Sequence, residues 1–168
     1  FVAVLCVWLY WGNTSVQTTS IEIGSEEIPE EFDGFTIVQV SDLHNAEFGA
    51  HQERLLRAIQ KASLDMIAVT GDLIDSNRTD VAKAMELIYG ALQIAPVYYV
   101  TGNHEARCDQ YAELKKQMTE AGVDLLEDEQ IPLTRGGASI RLAGLNDPRF
   151  TAASDVREDT AADGKLKE

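Results

Sequence analysis

Three β-branched apolar runs, each closed by a polar cluster, constrain this chain more than any other feature. They are FTIVQVSD at 35–42, MIAVTGD at 66–72 and PVYYVTGN at 96–103. Each reads as a buried strand ended by polar residues, and Pro96 is tolerable at a first strand position. Helical spacing fills the gaps. Leu55, Leu56, Ile59 and Ala62 share a face over 50–62, and Val81, Ala84, Met85, Ile88, Ala91 and Leu92 do so over 80–92. A third helix over 106–121 places Cys108, Tyr111, Leu114 and Met118 inward. Strand, helix, strand, helix, strand predicts two βαβ units, hence an α/β fold with a parallel sheet. Short strands are predicted at 19–23, 123–126, 131–134 and 139–143, before a polar, aperiodic end from Thr151 to Glu168.

The polar clusters carry the chemistry. Ligands of open α/β sheets bind outside the carboxyl ends of the strands, and parallel strands put all three ends on one edge. Ser41-Asp42-Leu43-His44, Gly71-Asp72 and Gly102-Asn103-His104-Glu105 then converge, although each lies about 30 residues, one βαβ unit, from the next. Asp and His are oxygen and nitrogen ligands suited to Mn, Fe or Zn. A carboxylate such as Asp72 can bridge two cations about 3.5–4 Å apart, and Asn103 adds a neutral carbonyl oxygen. Gly71 and Gly102 permit tight turns that aim the next side chain into the site.

Each cluster has a bland reading by itself: a loop tripeptide, a Gly-Asp turn, an Asn103 helix cap with Glu105 in the first turn. Their coincidence at three consecutive strand ends favours a metal pair held by Asp42, His44, Asp72 and Asn103. His51 reads as a solvated surface residue. Asn146-Asp147-Pro148 reads as a turn, with support of the site by Asp147 as the lesser reading. Cys6 and Cys108 have no CxxC spacing and receive neither a redox nor a metal role.

A net charge of −14 argues against a general nucleic-acid binder, while bound cations would still let an acidic protein take phosphate. The apolar run FVAVLCVWLYW at 1–11 would reach about 16 Å as a helix, roughly half a bilayer core. Trp8, Tyr10 and Trp11 cluster where it ends, as interfacial aromatics do. Residues 1–12 therefore read as the end of a membrane anchor or signal segment, in preference to a buried core element, and 13–33 as a juxtamembrane segment. No Lys or Arg precedes Arg54, so the domain is expected at the cell membrane on the extracytoplasmic face.

VSDLHN, VTGDLID and YVTGNHE, in this order, resemble the first three blocks of calcineurin-like metallophosphoesterases, and the apolar start with SDLHNAEFG is similar to their membrane-anchored bacterial branch. The resemblance covers roughly 35–150. It implies two β-sheets sandwiched between helices, an αββα arrangement, with a phosphate-ester substrate. It further implies that Asp42 and His44 bind a first divalent ion, Asp72 bridges, Asn103 binds a second, and a bridging hydroxide is the nucleophile. His104 matches the family histidine that contacts the substrate phosphate and assists the leaving group. The family completes its site with later histidines, one in a separate block and two in Gly-His-x-His, whereas this chain holds only His44, His51 and His104. Residues 34–150 are thus expected to be the N-terminal half of the domain and 151–168 a segment leading to its second half. The 168 residues alone are expected to be inactive.

Two other readings stand beside this one. The absent histidines suit a noncatalytic or incomplete metal-binding domain. A metal-independent substrate-binding module would use the same scaffold but gives no reason for Asp, Asp and Asn-His at strand ends. Neither substrate nor oligomeric state follows from the residues.

Overall fold

A computed structural model describes residues 1–153. The three apolar runs form β1 (Ile37–Val40), β2 (Met66–Thr70) and β3 (Val97–Val100), and β4 (Asp124–Leu125) joins them. All pair in parallel in the order β1-β2-β3-β4, with Val40 opposite Val69, and Thr70 opposite Val100. Parallel neighbours require crossovers. These are α2 (Glu53–Gln60), α3 (Val81–Leu92) and α4 (Tyr111–Ala121), following the N-terminal α1 (Val2–Thr14). Beyond the parallel sheet lie an antiparallel hairpin of β5 (Glu129–Arg135) and β6 (Ala138–Gly144), and a short α5 (Pro148–Ala153).

The core lies where α3 and α4 meet β2 and β3. Ala84, Met85, Ile88 and Ala91 of α3 are buried as their spacing predicts, and Leu87 is buried with them. Ile67, Val69, Val97, Tyr99, Leu114 and Met118 complete the cluster. Asp80 starts α3 by accepting the Lys83 N–H at 3.0 Å, a side-chain cap for an otherwise orphan donor. The mixed α/β architecture with a four-stranded parallel sheet is consistent with the fold that the sequence resemblance implies.

Three expectations need correction. Residues 19–23 are not a strand: Ile21 and Ile23 are exposed in irregular chain, and among the described residues the segment pairs with no strand. The helix expected from Ala50 begins at Glu53, because His51 and Gln52 take positive φ in a preceding 3₁₀ turn. The helix expected from Ala106 is a 3₁₀ turn, Glu105–Arg107, then an extended Cys108, with α4 starting only at Tyr111. Glu105 anchors that turn to the strand ends, so the chain must change direction before Leu114 and Met118 can reach the core. Cys108 nonetheless packs on the core, and His51 is surface-exposed as expected, pairing with Glu86 at 2.9 Å.

The apolar N-terminal run is helical and leaves Phe1, Val4, Trp8 and Trp11 exposed. Among the described residues no helix is long and apolar enough to cross a membrane. Most of the polar end, 154–168, lies outside the described residues.

Candidate metal centre

The strand ends continue their pairing past the sheet, which sets the site. The Asp42, His44 and Asn45 N–H groups donate to the carbonyls of Gly71, Asp72 and Leu73 at 3.2, 2.9 and 3.1 Å. To make this turn Asp42, His44, Asn45 and Asp72 all adopt positive φ, between 48° and 58°. Such backbone is disfavoured for residues with a Cβ and persists only when its surroundings hold it.

Much of the holding is done by Glu105, which is 1% exposed. Its Oε2 accepts the N–H of Gly102 at 2.9 Å and of Asp72 at 2.9 Å. Its Oε1 accepts Leu73 at 2.8 Å and Ile74 at 3.3 Å. One carboxylate thereby ties the loop after β3 to the loop after β2. Asn45 ties the loop after β1 to the same loop, its Oδ1 accepting the N–H of Asp75 and Asp80. The glycines allow the close approach. A Cβ on Gly71 would lie 2.6 Å from the Gly102 Cα, and one on Gly102 would run into the Asp72 carboxylate.

The residues singled out in the sequence meet here. His44 Nε2 stands 3.7 Å from Asp42 Oδ1 and 3.9 Å from Asp72 Oδ2. Asp72 Oδ2 accepts from the Asn103 Nδ2 at 2.7 Å, and its Oδ1 from the His104 N–H at 2.8 Å. The rings of His44 and His104 meet edge to face with centroids 4.4 Å apart. Burial by itself raises the Asp72 pKa. The hydrogen bonds from His104 and Asn103, with the charges of His104 and His44, outweigh it and hold the carboxyl below its usual value.

This donor set fits a divalent ion. The His44–carboxylate separations are too long for hydrogen bonds. They match two atoms sharing one ion, which at about 2.0–2.2 Å from each stand roughly 3–4 Å apart. Among the described residues His44 Nδ1 is buried without a partner, so no hydrogen bond from them fixes the ring's tautomer. Ligating atoms of His44, Asp72 and His104 lie within 4.8 Å of one another. His104 is the poorer ligand of the three: its Nδ1 accepts the Ser76 N–H at 3.0 Å, which puts the proton of the neutral ring on Nε2. A protonated nitrogen donates a hydrogen bond and cannot bind a metal.

Asn103 is adjacent but differently engaged. Its amide nitrogen, not its oxygen, faces Asp72, while Oδ1 accepts from Arg107 at 2.8 Å and from Arg149. Asn146 and Asp147 do more than turn the chain: Thr101 donates to Asn146 Oδ1 at 2.9 Å and accepts the Asp147 N–H at 3.2 Å, which brings Arg149 over Asn103. Sequence reading missed Glu105 as a brace, and missed Asn45, Arg107 and Arg149. Glu105 stood within a cluster already singled out, whereas the arginines gave no signal.

Residues 35–160 match the family described as calcineurin-like phosphoesterase. The chain is 24% identical to the uncharacterized metallophosphoesterase YkoQ of Bacillus subtilis (strain 168) over 154 residues, covering 87% of this chain and 57% of YkoQ. It is 29% identical to YkuE, an uncharacterized metallophosphoesterase of the same organism, over 79% of this chain and 48% of YkuE. Danio rerio has a similar transmembrane protein with metallophosphoesterase domain, 27% identical over 78% of this chain and 31% of that protein. The chain thus spans about half or less of the length of these relatives. A family match over three quarters of the chain, on a parallel sheet that gathers Asp42, His44, Asp72, Asn103 and His104 at one edge, means that the chain belongs to the calcineurin-like phosphoesterases.

Proposed function

We propose that the full-length protein is a metal-dependent phosphoesterase that hydrolyses a phosphate mono- or diester at a centre of two divalent ions. The observation that carries this is the approach of His44 Nε2 to the Asp42 and Asp72 carboxylates at 3.7 and 3.9 Å, at the carboxyl edge of the sheet. Asp42, His44 and Asp72 would hold one ion, and Asp72 with Asn103, once its amide turns Oδ1 toward Asp72, would hold a second. When bound, such ions polarise phosphoryl oxygens and make water acidic enough to act as a nucleophile near neutral pH. His104 keeps a proton on Nε2, because Ser76 occupies Nδ1, and is placed to donate it to the departing oxygen. Asp72→Asn in the full-length protein should abolish Mn-stimulated hydrolysis of p-nitrophenyl esters. Activity retained by that variant refutes the assignment.

We also place the protein at a membrane, with the domain on the extracytoplasmic side. The exposed apolar surface of α1 supports this, as does the lack of basic residues before Arg54. Fractionation of cells with and without residues 1–12 tests it: release of the shortened protein from the membrane fraction is expected. Protease resistance of the domain in intact spheroplasts would reverse the orientation.

A further inference from the structure

The chain has 14 basic residues against 28 acidic ones, so carboxylate partners are abundant, and Lys83, Lys115, Lys116 and Arg135 have them. Arg107 and Arg149 are among the seven described basic residues that do not. Among the described residues neither has a carboxylate within 4.0 Å, and both are exposed. Both turn instead to one neutral amide. Arg107 Nη2 and Arg149 Nη1 donate to Asn103 Oδ1 at 2.8 and 2.5 Å, and Arg107 Nε donates to the Asn103 carbonyl at 3.1 Å.

The fold builds this placement from two directions. Arg107 ends the 3₁₀ turn that Glu105 pins to the strand ends. Arg149 is held through Thr101, Asn146 and Asp147, whose Oδ1 accepts the Arg149 N–H at 2.9 Å, while Phe150 packs edge to face on Tyr111 at 5.1 Å. A carbonyl oxygen has two lone pairs, and the two guanidinium groups use both. Asn103 Oδ1 cannot serve a cation without releasing at least one of them. A released guanidinium beside a metal centre finds its best partner in an anionic oxygen, and the planar fork matches phosphate.

Resting on the phosphoesterase reading, we infer that Arg107 and Arg149 form a clamp for the nonbridging oxygens of a phosphate dianion. A monoester presents three nonbridging oxygens and a diester only two, so beside the ions two guanidinium forks find more acceptors on a monoester. The substrate class is therefore a phosphomonoester, or a terminal phosphate within a larger molecule. Arg107 and Arg149 set that preference.

The test uses the full-length protein with Mn²⁺ and two readouts. One is the affinity for inorganic phosphate by calorimetry. The other is the ratio of kcat/KM for p-nitrophenyl phosphate to that for bis-p-nitrophenyl phosphate. Arg107→Gln and Arg149→Gln should each weaken phosphate binding by roughly tenfold to a hundredfold, the range of a charge-assisted hydrogen bond, and lower the ester ratio in the same sense. Arg149→Lys, which keeps charge without the fork, should fall between. Unchanged phosphate affinity and ester ratio in the double Gln variant would overturn the clamp while leaving the phosphoesterase reading intact. Arginine-dependent phosphate binding without hydrolysis of either ester would keep the clamp and remove that reading.

Discussion

The Glu105 carboxylate accepts the backbone N–H of Asp72 at 2.9 Å with one oxygen and that of Leu73 at 2.8 Å with the other. The same group also holds Gly102 and Ile74, so it fixes both loops from which Asp72 and Asn103 project. Glu105→Ala would strand four donors, three of them buried, each buried one worth about 1–3 kcal/mol when left unmade. Partial relaxation reduces the sum, and a loss of about 3 kcal/mol or more is expected from denaturant unfolding of the full-length protein. Metal affinity should fall with it. Glu105→Gln should be milder on stability yet still damaging, because its amide NH₂ would face N–H groups that need an acceptor.

Gly71 allows a second check on the same geometry. With φ at +84° and a would-be Cβ 2.6 Å from both the Cα and N of Gly102, Gly71→Ala combines backbone strain with overpacking. Either effect alone costs about 1–3 kcal/mol, and at least 2 kcal/mol is expected in unfolding experiments. Gly24→Ala is the control. Nothing lies within 4 Å of its would-be Cβ, and the change should be neutral within about 0.5 kcal/mol.

What was legible in the sequence follows from what is local. β2 and α3 show themselves because strand composition and helical period are properties of neighbouring residues, and the βαβ order then places Asp42, Asp72 and Asn103 on one edge without further information. The failures are nonlocal. Residues 19–23 have strand composition but pair with no strand among the described residues, so composition misleads there. The start of α4 depends on Glu105, whose role arises only when two strand ends come together. Arg149 reaches Asn103 because Thr101, far back in the chain, captures Asn146 and Asp147. No period or spacing encodes that contact.

The tyrosines allow a test by pH. Tyr99 is held well above its ordinary pKa of 10.0 by burial and then by the Glu105 carboxylate. Tyr111 is raised by burial and then by Glu127, whose Oε1 accepts its hydroxyl at 3.2 Å. Folded pKa values above the unfolded ones mean that the associated stability is complete below about pH 10. It is lost as pH rises from there toward the folded values. Phenolate absorbance of the folded protein should therefore lack the contributions of Tyr99 and Tyr111 at about pH 10, and Tyr98, raised by burial and then by Asp124, should also titrate late. The signal of Tyr99 and Tyr111 should appear only with unfolding, and Tyr111→Phe should remove its share of that late step. A single smooth titration of all tyrosines near pH 10 would contradict the burial described.

His44 separates a structural from a metal-binding role by stability alone. Among the described residues its buried Nδ1 has no partner, a cost of about 1–3 kcal/mol that offsets much of what the ring gains by packing. His44→Ala should therefore change metal-free stability by less than about 1 kcal/mol, within the range of an uncritical site. With Mn²⁺ at a hundred times its dissociation constant, the full-length protein should gain about 2.7 kcal/mol by linkage, seen as a higher Tm that chelation reverses. In the variant most of that gain should vanish, because Asp42 and Asp72 no longer share the imidazole 3.7 and 3.9 Å away. A variant that is strongly destabilised without metal yet keeps the full Mn²⁺-induced shift would assign His44 to packing and remove it from the ligand set.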